Sequence, residues 1–459
     1  MRSAKADLRS GGKQNPKVAF GTELISAYGG LEWLRRFFAG KQLHAMIRDV
    51  FQHEPLGGDY PAASMVSVIL ALFFAGGRRI EHLKYLASDF MIRRLCALRR
   101  LPRPTTMARW LCRFTVARLG PLVELNRRVV YKSIEQAGLS RLIIDVDGTV
   151  VRTGQTVEWA KRGYNPHQRR HPSYYPLLAH IAQTSQILRV KNRPGNVHDS
   201  KGAVAFLREL VDDLRKRLPQ VRQLVMRMDS AFFQGKIMNF LDARRIAYAI
   251  KVPFAPWLGL VGEIRARQRW SRLAKDMGCF ELSLTIKAWE RVVRVVIYRK
   301  RVHHKSPKNY QLDLFDPDDG YWEYSAVATN LDLTPKRLWD FMAGRGAQEK
   351  TYGDLKTEWA FDVVPTKRYG ANSAWQQISV LGHNLLRWFQ LSTGAAKKPR
   401  SSKRTFSYLF QSLRTVRFTL ICQPVRQIRP RGRTHLRYAV APATADTMRT
   451  LEKALASAA

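Results

Sequence analysis

The hydrophobic pattern changes period near residue 140, and that change limits the chain to folds that join a helical part to a strand-rich part. Before it, apolar residues recur at three- and four-residue steps in LEWLRRFFAG, SMVSVILALFFAG, RIEHLKYLASDFMIRRLCAL and TTMARWLCRFTVARL, the spacing of helices that bury one face. This predicts a helical domain over 18–138 behind a polar leader at 1–17. Pro102 and Pro104 precede Thr105 and Thr106, which reads as a cap for a helix starting near Met107. The apolar run at 65–77 is shorter than the roughly 20 residues of a membrane span and reads as a buried helix.

Beyond residue 140, RLIIDVDGTVV, PLLAHIAQ and SQILRVKNR read as strands. The helix SKGAVAFLRELVDDLRKRL, the strand RQLVMRMDS, the helix GKIMNFLDARR and the strand AYAIKVPF follow. This order predicts an α/β layer around a mixed sheet over 139–253. The segment 254–332 is β-rich, with FELSLTIKAWERVVRVVIYRK and GYWEYSAVATN flanking a polar loop. It reads as an insertion, because helices resume over 333–392. The last of these, NSAWQQISVLGHNLLRWFQL, is expected to pack an apolar face on the sheet. The remainder, 393–459, is basic and reads as a tail.

Charge narrows the partner. Lys and Arg number 78 against 36 Asp and Glu, a formal net charge of +42, on a chain whose 45% hydrophobic content is that of a folded body. Such a surface attracts polyanions over long distances, so nucleic acid is the leading candidate partner. The helical region, with Arg78, Arg79 and Arg109 among many cations, reads as the DNA-binding module. A membrane surface would call for a basic amphipathic helix, and none stands out. The four cysteines are scattered without a Cys-x-x-Cys pair, which argues against a disulfide framework and a zinc ribbon. Any metal is then held by oxygen or histidine. The N-terminus lacks the apolar core of a signal peptide, so a cytoplasmic location is expected.

Three acids stand out by position. Asp147 lies near the end of the first strand of the α/β layer, Asp229 ends the strand LVMRMD, and Glu349 lies on a helix after the insertion. Alternation places Asp145 on the same side of its strand as Asp147; Asp147, directly before Gly148, is the favoured ligand. A carboxylate closing an apolar strand is costly to bury alone and usually meets a cation. Two aspartates and a glutamate offer the hard oxygen ligands that suit Mg²⁺ or Mn²⁺. Each also has a plain alternative: a turn at Asp147, a helix cap at Asp229, a solvated helix residue at Glu349. Helical spacing puts Arg345, Tyr352 and Lys356 on the face of Glu349, where the cations could grip DNA phosphates.

These residues resemble those of a DDE transposase of bacterial insertion sequences, specifically the insertion-sequence 1380 family. The matching segments are IIDVDGTVVRTGQ, GYNPHQRRHPSYYPLLAHIAQTSQILRVKNRPGNVHDS, VMRMDSAFF and QEKTYGDLKTEWAFDVVPTKRYGANSAWQQISVLGHNLLRWF. The resemblance covers roughly 20–435. It implies an RNase H-like mixed-sheet catalytic core, interrupted by the β-rich insertion and preceded by an all-α DNA-binding domain. It also implies that Asp147, Asp229 and Glu349 are the catalytic acids, holding two Mg²⁺ or Mn²⁺ ions per site. In the family's signature Tyr-x-x-Arg-x-x-x-Glu-x-x-x-x-x-x-Lys, the last three places fall on Arg345, Glu349 and Lys356, while Met342 replaces the tyrosine. The gaps are 82 residues from Asp147 to Asp229 and 120 from Asp229 to Glu349, the second lengthened by the β-rich block. In related enzymes this block stacks an aromatic on an extruded base; Trp289 and Trp322 are the candidates here, and either also suits a core position.

Two loops complete the expected DNA contacts. RPGNVHDS, with Arg193, Asn196 and His198, resembles the family's turn before a helix, although Asp199 or Ser200 could simply cap that helix. KRGYNPHQRRHPSYY sets Lys161, Arg162, Arg169 and Arg170 among aromatics, as backbone contact with a bent or unpaired end would require. The resulting expectation is an enzyme that binds terminal inverted repeats as a homodimer, cuts them by metal-assisted hydrolysis and joins the freed ends to target DNA. An RNase H-like nuclease without strand transfer, and a DNA-binding protein or decayed transposase whose acids are structural, are the rival readings.

Overall fold

The computed structural model describes residues 17–54, 56–163, 170–303, 320–396 and 408–457. After a short strand β1 (Ile25–Ser26) come α1 (Leu31–Gly40), α2 (Leu43–Phe51), α3 (Ala62–Phe74), α4 (Leu83–Leu86), α5 (Phe90–Leu95), α6 (Pro104–Leu111) and α7 (Gly120–Gln136). The apolar run expected to be buried forms α3, in which every residue from Ala63 to Phe74 is buried. Among the described residues no helix is long and apolar enough to cross a membrane. Asp89 caps α5 by accepting from the Met91 and Ile92 amides. The threonine cap is not seen: α6 starts at Pro104, with Arg103 in the cap position and Thr105 and Thr106 inside the first turn. Proline's fixed φ suits the first helical position and moves the start forward.

The strand-rich part continues through β2 (Arg141–Gly148), β3 (Val151–Arg152), β4 (Ser173–Tyr174), β5 (Leu177–Ile181), β6 (Ile187–Lys191), α8 (Ala203–Arg217), β7 (Gln223–Met228), α9 (Gly235–Ala243) and β8 (Ala247–Val252). Then come α10 (Leu260–Ala266), β9 (Ser271–Ala274), β10 (Met277–Ile286), β11 (Arg291–His303), β12 (Gly320–Thr329), α11 (Pro335–Ala343) and α12 (Gly346–Glu358). Among the described residues one large mixed sheet runs β6-β5-β2-β7-β8-β12-β11-β10-β9. Its centre, β2-β7-β8, is parallel. The strands of 254–332, read from the sequence as an insertion, extend this same sheet, because β12 pairs antiparallel with β8 from Ala326↔Val252 to Thr329↔Ala249. One face packs on α8 and α9; the other receives Leu338, Phe341 and Met342 of α11.

The last elements are α13 (Tyr369–Ser392), α14 (Leu413–Val416), β13 (Val425–Ile428), β14 (His435–Tyr438) and α15 (Pro442–Ser457). The helix α13 does more than lay one apolar face on the sheet: every residue from Tyr369 to Gln390 is buried. Its polar side chains cover the outer edge of β6. Asn384 accepts from the Ile187 amide and donates to the Ile187 carbonyl, and Gln377 donates to the Val190 carbonyl. An open strand edge is thereby satisfied without another strand.

The segment read as a basic tail is folded from 408 to 457. It packs back on the first helices: β13 sits between β1 and β14, and Arg36 of α1 pairs with Glu452 of α15 at 2.6 Å. The contact is closest at Gly30, where a Cβ would lie 1.8 Å from the Leu420 carbonyl oxygen. Gly30→Ala should therefore cost roughly 3 kcal/mol, the upper range for overpacking. A thermal melt would show this as a drop of roughly 3 °C, taking about 2.1 cal/mol/K of unfolding entropy per residue.

Candidate active site

The parallel pairing of β2 and β7 puts Val146 opposite Met228, so the residues that follow, Asp147 and Asp229, emerge side by side at the carboxyl ends of neighbouring strands. Ligand sites of open α/β sheets form at such ends, where the strand order reverses. Here β2 is flanked by antiparallel β5 and parallel β7. The loop between β6 and α8 brings a third carboxylate. Ligand atoms of Asp147, Asp199 and Asp229 all lie within 4.8 Å of one another.

Each carboxylate is oriented. Asp147 accepts from its neighbour's amide, Gly148 N, at 2.9 Å and from Arg345 Nη2 at 2.6 Å. Asp229 accepts from the Ala231 amide at 3.0 Å, so it caps a short 3₁₀ turn and faces the cluster at once. Asp199 accepts from the Tyr175 hydroxyl at 2.7 Å and from Arg193 Nη2 at 3.2 Å. Gly148 makes the approach possible: a Cβ there would stand 2.3 Å from Asp199 Oδ1 and 2.5 Å from the Tyr175 ring. Asp199 does not cap α8, whose cap is Gly202 with no side-chain bond.

Crowding of negative charge marks the site electrostatically. Burial pushes Asp147 up to about 7, with Asp229 and Asp199 adding to the rise and Arg345 opposing it. Burial also raises Asp199, against the Tyr175 and Arg193 hydrogen bonds. The donor set suits a hard divalent cation. Neighbouring oxygens around one octahedral Mg²⁺ are about 2.9 Å apart and opposite ones about 4.2 Å, so the aspartates, whose ligand atoms lie within 4.8 Å of one another, would draw together on a shared ion.

The sequence reading missed Asp199 as a member of this group. The available signal is His-Asp-Ser between a strand and a helix, where a turn facing the site and a cap by Asp199 or Ser200 are both open readings. Glu349 is exposed on the first turn of α12 and lies outside the cluster. The helix buries Gln348, Thr351, Tyr352 and Leu355; at 3.6 residues per turn Glu349 then sits about 110° from the centre of that stripe. Arg345, on the same flank, reaches Asp147. Tyr352 is buried, and its hydroxyl accepts from Gln348 Nε2 at 2.8 Å. Lys356 is half-buried; its carbonyl accepts from Arg78. Met342, in the signature's tyrosine position, is buried beneath the sheet.

The other expected DNA contacts divide by what they already bind. Arg193 is buried, and besides Asp199 it donates to the carbonyls of Tyr175, His198, Asp199 and Lys201. It holds the loop that presents Asp199. Arg78 pairs with Asp362 at 2.6 Å. Arg79, Arg109, Lys161, Arg162, Arg170 and Asn196 are exposed, as is His198, whose Nδ1 lies 2.8 Å from Ser200 Oγ. Arg169 lies outside the described residues. Trp289 packs against Phe233 and Trp257 at centroid distances of 5.1 and 5.6 Å. Trp322 has the Arg299 guanidinium 4.5 Å from its ring centroid.

Beneath the carboxylates, Asp145 and Arg227 are both fully buried and form a two-bonded ion pair, Nε to Oδ1 at 2.6 Å and Nη2 to Oδ2 at 2.8 Å. Burial alone would raise the Asp145 carboxyl, but Arg227 and His180 hold it below its ordinary value. Asp145 is thus engaged inside the sheet, while Asp147 faces the cluster.

A family model described as transposase DDE domain group 1 matches residues 9–458. No curated protein matches the chain. Seven chains of solved structures match. One, from a piggyBac transposase synaptic complex with hairpin DNA, aligns at 11% identity with a TM-score of 0.43, over 86% of this chain and 80% of that one.

Proposed function

The chain belongs to the transposase DDE domain group 1 family, and from that premise we propose that it mobilises a bacterial insertion sequence by binding its terminal inverted repeats, cutting them and joining the freed 3′-hydroxyls to target DNA. As a DDE transposase it is an enzyme of DNA transposition. The observation that carries the reading of its site is the convergence of Asp147, Asp199 and Asp229 at the ends of neighbouring strands. In this reading the sheet around them is an RNase H-like core, and the helical 18–138 region docks the repeats.

Asp147, Asp199 and Asp229 would hold Mg²⁺ or Mn²⁺. When bound, divalent ions polarise the scissile phosphate and lower the pKa of the attacking water or DNA hydroxyl. Arg345 offsets charge on Asp147 and stands ready for a phosphate. Glu349, one turn further along α12 and exposed, would supply a further carboxylate for a divalent ion beside these aspartates. The exposed Arg79, Arg109, Lys161, Arg162 and Arg170 hold the DNA backbone, and two copies of the chain act on the two ends.

A strand-transfer assay on paired end DNA tests this. Mg²⁺ should support cleavage and joining, and a chelator should abolish both. Asp199→Asn should lower Mn²⁺ affinity, read by electron paramagnetic resonance, at least about tenfold and lower cleavage with it. Glu349→Gln should leave Mn²⁺ binding by the DNA-free protein unchanged but still reduce cleavage. Cleavage without joining would favour the nuclease; unaltered cleavage by Glu349→Gln would remove Glu349 from the site.

A further inference from the structure

One row beneath the carboxylates, the sheet carries a charged layer that the chemistry does not use. Asp145 and Arg227 stand two residues before Asp147 and Asp229 on their strands, and side chains two apart share a face. The pair is directly opposed across β2 and β7, while His180 faces Asp145 from β5. His180 Nδ1 lies 3.3 Å from Asp145 Oδ2, and its Nε2 lies 3.2 Å from the hydroxyl of Thr351 on α12. Arg227 also donates through Nη1 to the Phe341 carbonyl at 2.6 Å. That carbonyl belongs to the last turn of α11, where the helix's own ladder has no donor for it. The layer therefore grips both sides of the short link that carries Arg345, at α11 and at α12.

The geometry points to Asp145, Arg227, His180 and Thr351 as positioning residues for the reaction: they fix the rotation and height of α12 on the catalytic strands, so that Arg345 meets Asp147 and Glu349 faces the same rim. This rests on the reading of Asp147 and Asp229 as the catalytic acids. Buried ion pairs are poor stabilisers compared with apolar packing of the same volume. What they supply is direction. The Arg227 guanidinium has a rigid fork of donors, with two bonds to Asp145 and one to Phe341, and it tolerates no sliding of α11 along the sheet. The apolar residues of α12 that face inward, such as Leu355, would accept a shifted helix; the Thr351 hydroxyl, bonded to a strand histidine, would not. A displacement of about 1 Å at a reacting centre costs on the order of a hundredfold in rate.

Thr351 is the residue to change, because valine keeps the shape and puts a methyl in place of the hydroxyl, which meets His180 and also its own helix at the Ala347 carbonyl. Two readouts are needed. Nitroxide labels at exposed Lys350 on α12 and exposed Lys236 on α9, with the exposed Cys112 and Cys422 replaced by serine, report the position of α12 without any chemistry. The parent and Thr351→Ser should share one narrow distance distribution, and Thr351→Val should broaden or displace it. In the cleavage assay Thr351→Val should lose at least about tenfold in rate at unchanged DNA affinity, and Thr351→Ser should recover to within about threefold. His180→Gln is the second variant and should displace the labels in the same way. An unchanged distance distribution in folded Thr351→Val, or serine and valine equally impaired, would overturn the proposal. Displaced labels in a protein whose parent cuts no DNA would uphold the positioning role and refute the transposase site beneath which it is placed.

Discussion

Asp229→Asn should lower DNA strand cleavage by about three orders of magnitude or more while leaving end binding intact. Asparagine keeps the size of the side chain and can still accept the Ala231 amide, so the 3₁₀ turn after β7 stays capped and the strand end stays in place. What disappears is one negative charge from a cluster whose ligand atoms lie within 4.8 Å of one another. A thousandfold loss corresponds to about 4 kcal/mol of transition-state stabilisation, the scale expected when Lewis-acid support is withdrawn from a phosphoryl transfer. Asp147→Asn should behave in the same way, and its retained oxygen can still take the Arg345 hydrogen bond. Binding to end DNA, measured by fluorescence anisotropy, should hold or tighten slightly, because a negative charge is removed near phosphates. Either asparagine variant cutting at the parental rate would sink the assignment of these acids.

Much of this site was legible because it rests on period and punctuation. The apolar runs at 141–148 and 223–228 end in aspartates, and only the strand assignment was needed to set Asp147 and Asp229 side by side. Alternation likewise separated Asp145 from Asp147 only partly: it put them on one face, but which one meets the cation depends on the neighbouring strand. There, Arg227 stands opposite Asp145, and that register is not written in either segment alone. Asp199 was hidden for a related reason. Its place depends on a close approach across two strands, allowed by the missing side chain of Gly148, and local sequence reads it equally well as a cap. Glu349 shows the limit of helical spacing. Helical steps set Arg345, Tyr352 and Lys356 on the Glu349 face, but the buried stripe through Gln348, Thr351, Tyr352 and Leu355 takes Tyr352 inward and decides which flank looks outward. The folded C-terminal segment was obscured by composition, since its arginines read as a tail while Leu413, Val416, Leu420 and Ile421 supply the apolar contacts that bind it to the first helices.

Arg227→Met should destabilise the protein by roughly 3 to 5 kcal/mol, the cost of leaving a buried carboxylate without its partner. Asp145 has no exposed surface, and its contact with His180 Nδ1, at 3.3 Å, is longer than either guanidinium bond. With unfolding entropy near 2.1 cal/mol/K per residue, the melting temperature of a cooperative transition should fall roughly 3 to 5 °C. The double substitution Asp145→Leu with Arg227→Met removes both charges and should recover most of that loss. A remainder of roughly 1 to 3 kcal/mol should persist, because the Phe341 carbonyl loses its donor and His180 loses its partner at Nδ1. Stability and activity should then separate: the double variant melts close to the parent but still cuts slowly, since an apolar pair restores packing without restoring the bond that holds α11 to β7. A double variant that regains both stability and cleavage would show that the charged layer only fills space, and one that regains neither would show that its bonds to the helices, not the ion pair itself, carry the fold.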